Sequence, residues 1–265
     1  MTYGFIGTGN MASALAIAAS QAVAPSDIYL SNRTVTKAEA LAQKLGARLS
    51  DNLTIAQNCD YIFLGVKPHM MADLLASLHP VLQARTTPFV LVSMAASLTI
   101  DTIAKMAGGA CPIIRIMPNT PCAVGAGLTL YACSDSVTEA QKQDFLHLLS
   151  CSGVLEPLAE SLIDAGSAVA GCGGAYVCLF LEALADGAVA CGLPRDKAQR
   201  YAAQMLKGTA ELTLQSSQHT GALKDAVCSP GGTTIAGVRA LEEGGFRAAA
   251  MNAVIAAYEK TKALQ

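Results

Sequence analysis

The segment GFIGTGNMA, residues 4–12, sets Gly7, Gly9 and Ala12 in a G-x-G-x-x-A spacing where an apolar run meets a helical one. The first glycine permits a tight turn. The second lets backbone N–H groups approach a pyrophosphate, and the small Ala12 lets helix and strand pack closely. A strand, this loop and a helix in that order commit the surrounding chain to a βαβ layout with a dinucleotide at the helix N-terminus.

The runs that follow agree with that layout. TYGFIG (2–7), DIYLSN (27–32), DYIFLGV (60–66) and FVLVSMA (89–95) are short and apolar, and helical segments over 10–22 and near 35–45 flank the second of them. Unbroken apolar character suits strands covered on both faces, so a mostly parallel sheet is expected. Further short strands are expected at 111–118, 127–132 and 153–158. From Leu162 onward the pattern turns helical over 162–191, 195–217, 233–243 and 246–264, punctuated by GLP, TG, SPGG and GG. The expected architecture is α/β: a Rossmann-type dinucleotide-binding domain over residues 1–160, followed by an all-helical domain over residues 161–265.

Within the helical part, AYVCLFLEALADGAVACGL (175–193) is apolar nearly all round, interrupted by Glu182 and Asp186. It reads as a central bundle helix buried on every side, which a helical domain of this size achieves by exchanging helices with a second copy. The two carboxylates read as interhelical hydrogen-bonding groups more readily than as catalytic acids.

Composition narrows the partners. Charged residues make up 14% of the chain and the net charge is −2, so neither nucleic acid nor an anionic membrane surface is expected. The opening MTYGFIGTGN has no basic n-region of a signal peptide, and a cytoplasmic location is expected. Nine cysteines form no C-x-x-C pair and read as small buried hydrophobes in a reducing compartment; the four histidines lack ligand spacing, so no metal site is expected.

The end of the second strand selects the cofactor. Sites for NAD commonly place a carboxylate there, whereas this chain has Ser31, Asn32, Arg33 and Thr34. Arg33 with Asn32 and Thr34 can bind a 2′-phosphate, which makes NADPH the expected cofactor and NADH an alternative donor. Lys67 follows the strand 60–66, at the edge where open α/β sheets bind ligands, which makes it a ribose contact or a catalytic neighbour. Pro68 is expected to occupy the first position of the next helix.

A second glycine loop, CSPGGTTIAG (228–237), precedes a helical run. Unpaired N–H groups at Gly231 and Gly232 and the positive end of a helix dipole suit a carboxylate as well as a phosphate. Thr233 or Thr234 can equally be a plain helix cap. Both readings stand on the loop alone.

RIMPNTP (115–121), GLP (192–194), GALKDAVCSPGGTTIAGVRALEEGGFR (221–247) and FIGTGNMA (5–12) together resemble the pyrroline-5-carboxylate reductase family of proline biosynthesis, over essentially the whole chain. The resemblance implies a helical dimerisation domain and, in many members, further assembly of dimers. It implies a small imino-acid substrate held between the nicotinamide and the loop before the penultimate helix. Ser229, Gly231, Gly232, Thr233 and Thr234 would hold its carboxylate and Thr234 its ring nitrogen. Cofactor contacts would fall on Ile6, Gly7, Thr8, Gly9, Asn10, Met11, Asn52, Val66, Lys67 and Ala95, beside Ser31, Asn32 and Arg33 from the second strand. The sequence departs from the family twice: CGGAY (172–176) has Gly174 where many relatives have proline, and Ala226 stands where some have a ligand-contacting asparagine.

Reducing a cyclic imine needs aligned rings, excluded water and a satisfied nitrogen, with Thr234 and Lys67 as the candidate catalytic groups. Two other readings remain at this point. A β-hydroxyacid dehydrogenase would need a catalytic lysine on a helix of the second domain, for which Lys207 sits in no matching motif. A non-catalytic NADPH-binding paralogue would not need the intact SPGGTT turn.

Overall fold

The computed structural model describes residues 1–264. Two compact units result: residues 1–172 with the segment from Ala257 onward, and Gly173–Ala256.

In the first unit the chain runs β1 (Tyr3–Ile6), α1 (Asn10–Ala22), β2 (Ile28–Ser31), α2 (Val35–Leu45), β3 (Arg48–Leu49), α3 (Asn52–Asn58), β4 (Tyr61–Leu64) and α4 (Met71–Ala84). It continues through β5 (Val90–Ser93), α5 (Ile100–Met106), β6 (Ile113–Met117), β7 (Gly127–Cys133), α6 (Glu139–Leu148), β8 (Gly153–Pro157) and α7 (Ile163–Ala170). The eight strands form one sheet in the order β3-β2-β1-β4-β5-β6-β7-β8. Neighbours pair parallel except β6 with β7, which pair antiparallel through Ile114↔Cys133 to Met117↔Leu130.

Side chains alternate between the two faces of each strand. Phe5, Phe63, Val92 and Ile114 enter one core with Leu15 of α1, Ala38 of α2 and Phe145 of α6. Ile62, Leu64, Leu91 and Ile113 enter the other with Ile55 of α3, Leu75 and Leu78 of α4 and Ile103 of α5. Burial on both faces explains why the central strands read as continuous apolar runs. Local signals set several helix starts: Asp51 accepts from the Thr54 N–H ahead of α3, Thr99 caps α5, and Thr138 with Gln141 forms a capping box on α6. Pro68 begins a 3-10 turn, Pro68–Met70, and not the helix itself, which starts three residues later at Met71.

The second unit carries α8 (Gly173–Ala190), α9 (Arg195–Gln215), α10 (Thr220–Ala226), α11 (Thr233–Glu243) and most of α12 (Phe246–Lys262), whose end belongs to the first unit. The helical run expected over 162–191 breaks between Ala170 and Gly173. Since Ile163 of α7 packs with Met117, Leu130 and Ala132, α7 stays with the sheet. The division by compactness therefore falls at Gly173, past the boundary near Glu160 read from the sequence.

Burial of α8 on every side does not occur within one chain. Ala185 is its one buried residue, while Val177 and Leu179 are exposed, as are Met251 and Ile255 of α12. Glu160–Ala190 is long and apolar enough by composition to cross a membrane, a test that the core helix of a soluble protein also passes. Asp186 accepts from Arg195 Nη1 at the exposed start of α9, an interhelical hydrogen bond as expected of it. The cysteines are all unpaired, but only Cys59 and Cys122 are buried, and Cys178 and Cys191 are exposed, against the expectation of uniform burial. Burial pushes the Cys59 thiol up to about 12.

Phe63 is fully buried and stacks on Phe5 at 4.3 Å between ring centroids, in the middle of the sheet. Phe63→Ala is expected to lower the unfolding free energy of the protein by about 3–5 kcal/mol, read from urea denaturation.

Candidate functional site

The order of the strands reverses at β1: β2 lies on one side of it and β4 on the other. Open α/β sheets bind ligands beyond the carboxyl ends of the strands at such a point. Gly7 ends β1 there with φ +94, and Gly65 follows β4. The two backbones nearly touch: a Cβ on Gly7 would come within 2.7 Å of the Gly65 carbonyl oxygen, and one on Gly65 within 2.7 Å of the Gly7 carbonyl oxygen and 2.8 Å of Ala12 Cβ. Gly7 and Ala12 thus serve the tight turn and close packing expected of them. Gly65 is the partner the sequence reading missed, although its position after an apolar strand was the available signal.

Gly9 caps α1 with its backbone alone, and no side chain bonds the first N–H groups of that helix. A Cβ at Gly9 would meet nothing within 4 Å, so the backbone is open to an approaching group. Thr8 is buried, yet its Oγ1 has no hydrogen-bond partner among the described residues. Open helix-end donors, an unfilled glycine flank and an orphaned hydroxyl fit the phosphates of a dinucleotide.

The end of β2 is tied to this loop. The Thr8 N–H donates to Asn32 Oδ1 at 3.1 Å, while Asn32 Nδ2 donates to the Thr34 carbonyl. Buried Ser31 donates to Asn52 Oδ1 at 2.6 Å, at the first residue of α3. Arg33, next along, is exposed and able to meet a phosphate. Val66 is half-buried and Lys67 exposed, both just past β4; Ala95 is buried just past β5. Thus Ile6 to Met11, Ser31 to Arg33, Asn52, Val66, Lys67 and Ala95 all lie at the carboxyl ends of β1 to β5 or on the loops and helix starts that follow them.

The second glycine loop belongs to the helical unit and is described by itself. The Gly232 N–H donates to the Ser229 carbonyl at 3.0 Å, and Gly231 has φ +69. Proline second and a left-handed glycine third are the pattern of a type II turn. A Cβ on Gly232 would meet Ser229 Oγ and require that hydroxyl to turn aside. The threonine cap foreseen as one reading does not form: Gly232 is the N-cap of α11, without a side-chain hydrogen bond, and Thr233 and Thr234 occupy its first two positions, exposed. The glycine displaces them because the turn delivers its own backbone, not a hydroxyl, to the cap position. The threonine hydroxyls are therefore presented with the helix-end N–H groups and not consumed by them.

Gly65→Ala is expected to weaken NADPH binding by about tenfold or more while the far-ultraviolet circular dichroism is retained, because the added methyl must part the β1 and β4 loops. Fluorescence titration of the cofactor checks it.

Residues 160–264 match the family model for pyrroline-5-carboxylate reductase dimerisation, and residues 2–97 match that for NADP oxidoreductase, coenzyme F420-dependent. Pyrroline-5-carboxylate reductase of Escherichia coli (strain K12) is 41% identical over 98% of this chain and 97% of its own. The enzyme of the same name from Pisum sativum is 39% identical over 99% of this chain and 96% of its own. Among solved structures, Plasmodium falciparum pyrroline carboxylate reductase with NADP bound superposes with a TM-score of 0.88 at 33% identity, covering 99% of this chain and 97% of its own. Identity at this level, sustained along nearly the full length of both chains, places the protein in the pyrroline-5-carboxylate reductase family.

Proposed function

We infer that the protein reduces 1-pyrroline-5-carboxylate to L-proline with NADPH. The observation that carries this reading is the near full-length likeness to reductases of that name, joined to an intact Ser-Pro-Gly-Gly-Thr-Thr turn.

Reduction of the ring C=N bond places a hydride on carbon and a proton on nitrogen. NADPH, when bound, supplies the hydride. We assign its pyrophosphate to the N–H groups of Gly9 to Met11 and to Thr8, and its 2′-phosphate to Arg33 with Asn32. Ile6, Gly7, Ser31, Asn52, Val66 and Ala95 shape the remainder of that cleft, and Lys67 supports its ribose side. The imine carboxylate is assigned to the 229–234 turn, where Gly232 and the threonines offer N–H donors at the positive end of α11. Thr234 hydrogen-bonds the ring nitrogen, either relaying its proton or orienting an iminium already protonated. This division asks little of acid–base chemistry, because binding both reactants in register and excluding water supplies most of the acceleration.

The exposed apolar residues of α8 and α12 support a homodimer, in which a second copy covers them. We further propose residues 161–265 as the substrate-binding and dimerisation part, residues 1–160 as the cofactor-binding part, and a cytoplasmic location for the enzyme.

The first test is oxidation of NADPH on addition of pyrroline-5-carboxylate; cofactor binding without turnover would overturn the reading. Thr234→Ala is expected to lower turnover by about ten- to hundredfold with NADPH affinity kept, since one hydrogen bond to the reacting ring is lost. Arg33→Ala is expected to weaken NADPH by about tenfold or more and NADH hardly at all. Equal weakening of the two cofactors would remove Arg33 from the 2′-phosphate.

A further inference from the structure

Ser97 is the one non-glycine residue with a left-handed backbone among the described residues, at φ +66. That conformation brings Cβ close to the carbonyl oxygen, so it persists only where the surroundings impose it. Here the residues on either side do so. Ala95 is buried in the core beside α4, and Ala96 packs against Met117, Leu130 and Ile163. Leu98 returns to the first of those cores, and Ile100 packs against both. Thr99 caps α5, and the Ile100 N–H donates to Glu160 Oε1 at 2.6 Å. Glu160 is held in turn by Arg115, whose Nη1 lies 3.4 Å away and whose Nη2 donates to Asp164. Asp164 also accepts from Lys262 Nζ. The turn at Ser97 therefore cannot relax without undoing one of these contacts.

Amid these anchored neighbours Ser97 is itself unsatisfied. It is 6% exposed, and its hydroxyl takes part in no hydrogen bond among the described residues. A polar group buried without a partner is costly, so the hydroxyl calls for one from outside the chain. Its place in the sheet says which. Strands β1, β2, β4 and β5 pair parallel, and their carboxyl ends share one edge. Ser97 lies on the turn after β5, two strands from β1 on the side away from β2. A dinucleotide straddles the reversal of strand order, one nucleotide to each side. With the 2′-phosphate assigned to Arg33 after β2, the nicotinamide half falls toward β4 and β5.

We propose that the Ser97 hydroxyl hydrogen-bonds the nicotinamide half of bound NADPH, whose carboxamide and ribose hydroxyls offer matching donors and acceptors. The left-handed turn is what holds that hydroxyl at the edge of the sheet. The inference rests on the cofactor reading above and calls neither on the imine nor on residues 173–256.

Ser97→Ala keeps the demand on the backbone and removes the hydroxyl; Ser97→Gly removes both. Each is expected to weaken NADPH by about three- to tenfold in fluorescence titration, the loss of one hydrogen bond. Adenosine 2′,5′-bisphosphate carries the adenosine half alone, and its Kd, read by calorimetry, should move less than about twofold in either variant. Unchanged NADPH affinity in Ser97→Ala, or equal weakening of the two ligands, would overturn the contact and leave the cofactor reading standing. Recovery of NADPH affinity in Ser97→Gly would overturn it too, by tracing the loss to the backbone. A wild-type protein that binds neither ligand would overturn the contact and the cofactor reading together.

Discussion

The contact between the Gly7 and Gly65 backbones is the constraint on which the cofactor cleft depends. Each glycine denies the other any room for a side chain, and Ala12 closes the third side. Because β1 and β4 pair parallel and in register from Tyr3↔Tyr61 to Ile6↔Leu64, their ends arrive at the same level. The aromatic and aliphatic side chains beneath hold that register: Tyr3 stacks on Tyr61 and Phe5 on Phe63. A one-residue slip would turn both stacks to the opposite face and part the glycines. Core packing and the geometry of the cleft are thus one requirement expressed at two ends of the same strands.

The polar tethers above the sheet complete that arrangement. Asn32 receives the Thr8 N–H and Ser31 reaches Asn52, so the segment after β2 is held to the first glycine loop on one side and to α3 on the other. Arg33, the next residue along, stays exposed. An exposed cation on a tethered turn loses less freedom on meeting an anion than one on a slack loop.

Much of this was legible in the sequence, for physical reasons. The bounds of α1 and α11 were read as they stand, 10–22 and 233–243, because each follows a glycine turn that ends the preceding element sharply. The central strands were read within one or two residues at each end, since burial on both faces writes them as unbroken apolar runs. Helices α3, α5 and α6 went unread beside those strands, α4 was read only at its start, and β3, two exposed residues, is too short to carry a hydrophobic pattern. Helix α8 was read as covered with the help of a second copy, and within one chain it is largely exposed. Among candidate site residues, those flanking glycine turns were visible as motifs. Gly65 was not, because it matters only through a strand distant in sequence, and outside the site the ion pairs of Asp164 with Arg115 and Lys262 were not legible either. Asp164 and Lys262 are likewise 98 residues apart.

The return of α12 to the sheet unit has a consequence for biosynthesis. Residues from Ala257 onward are made after all of Gly173–Ala256, yet they belong to the unit that begins with Met1. A nascent chain can assemble β1 to β8 and their helices early, with Asp164 buried beside Arg115 but still lacking its lysine. Lys262, the last residue of α12, is made after α8 to α11 and the rest of α12, so the sheet unit can reach its full set of charges only after the helical one has been translated.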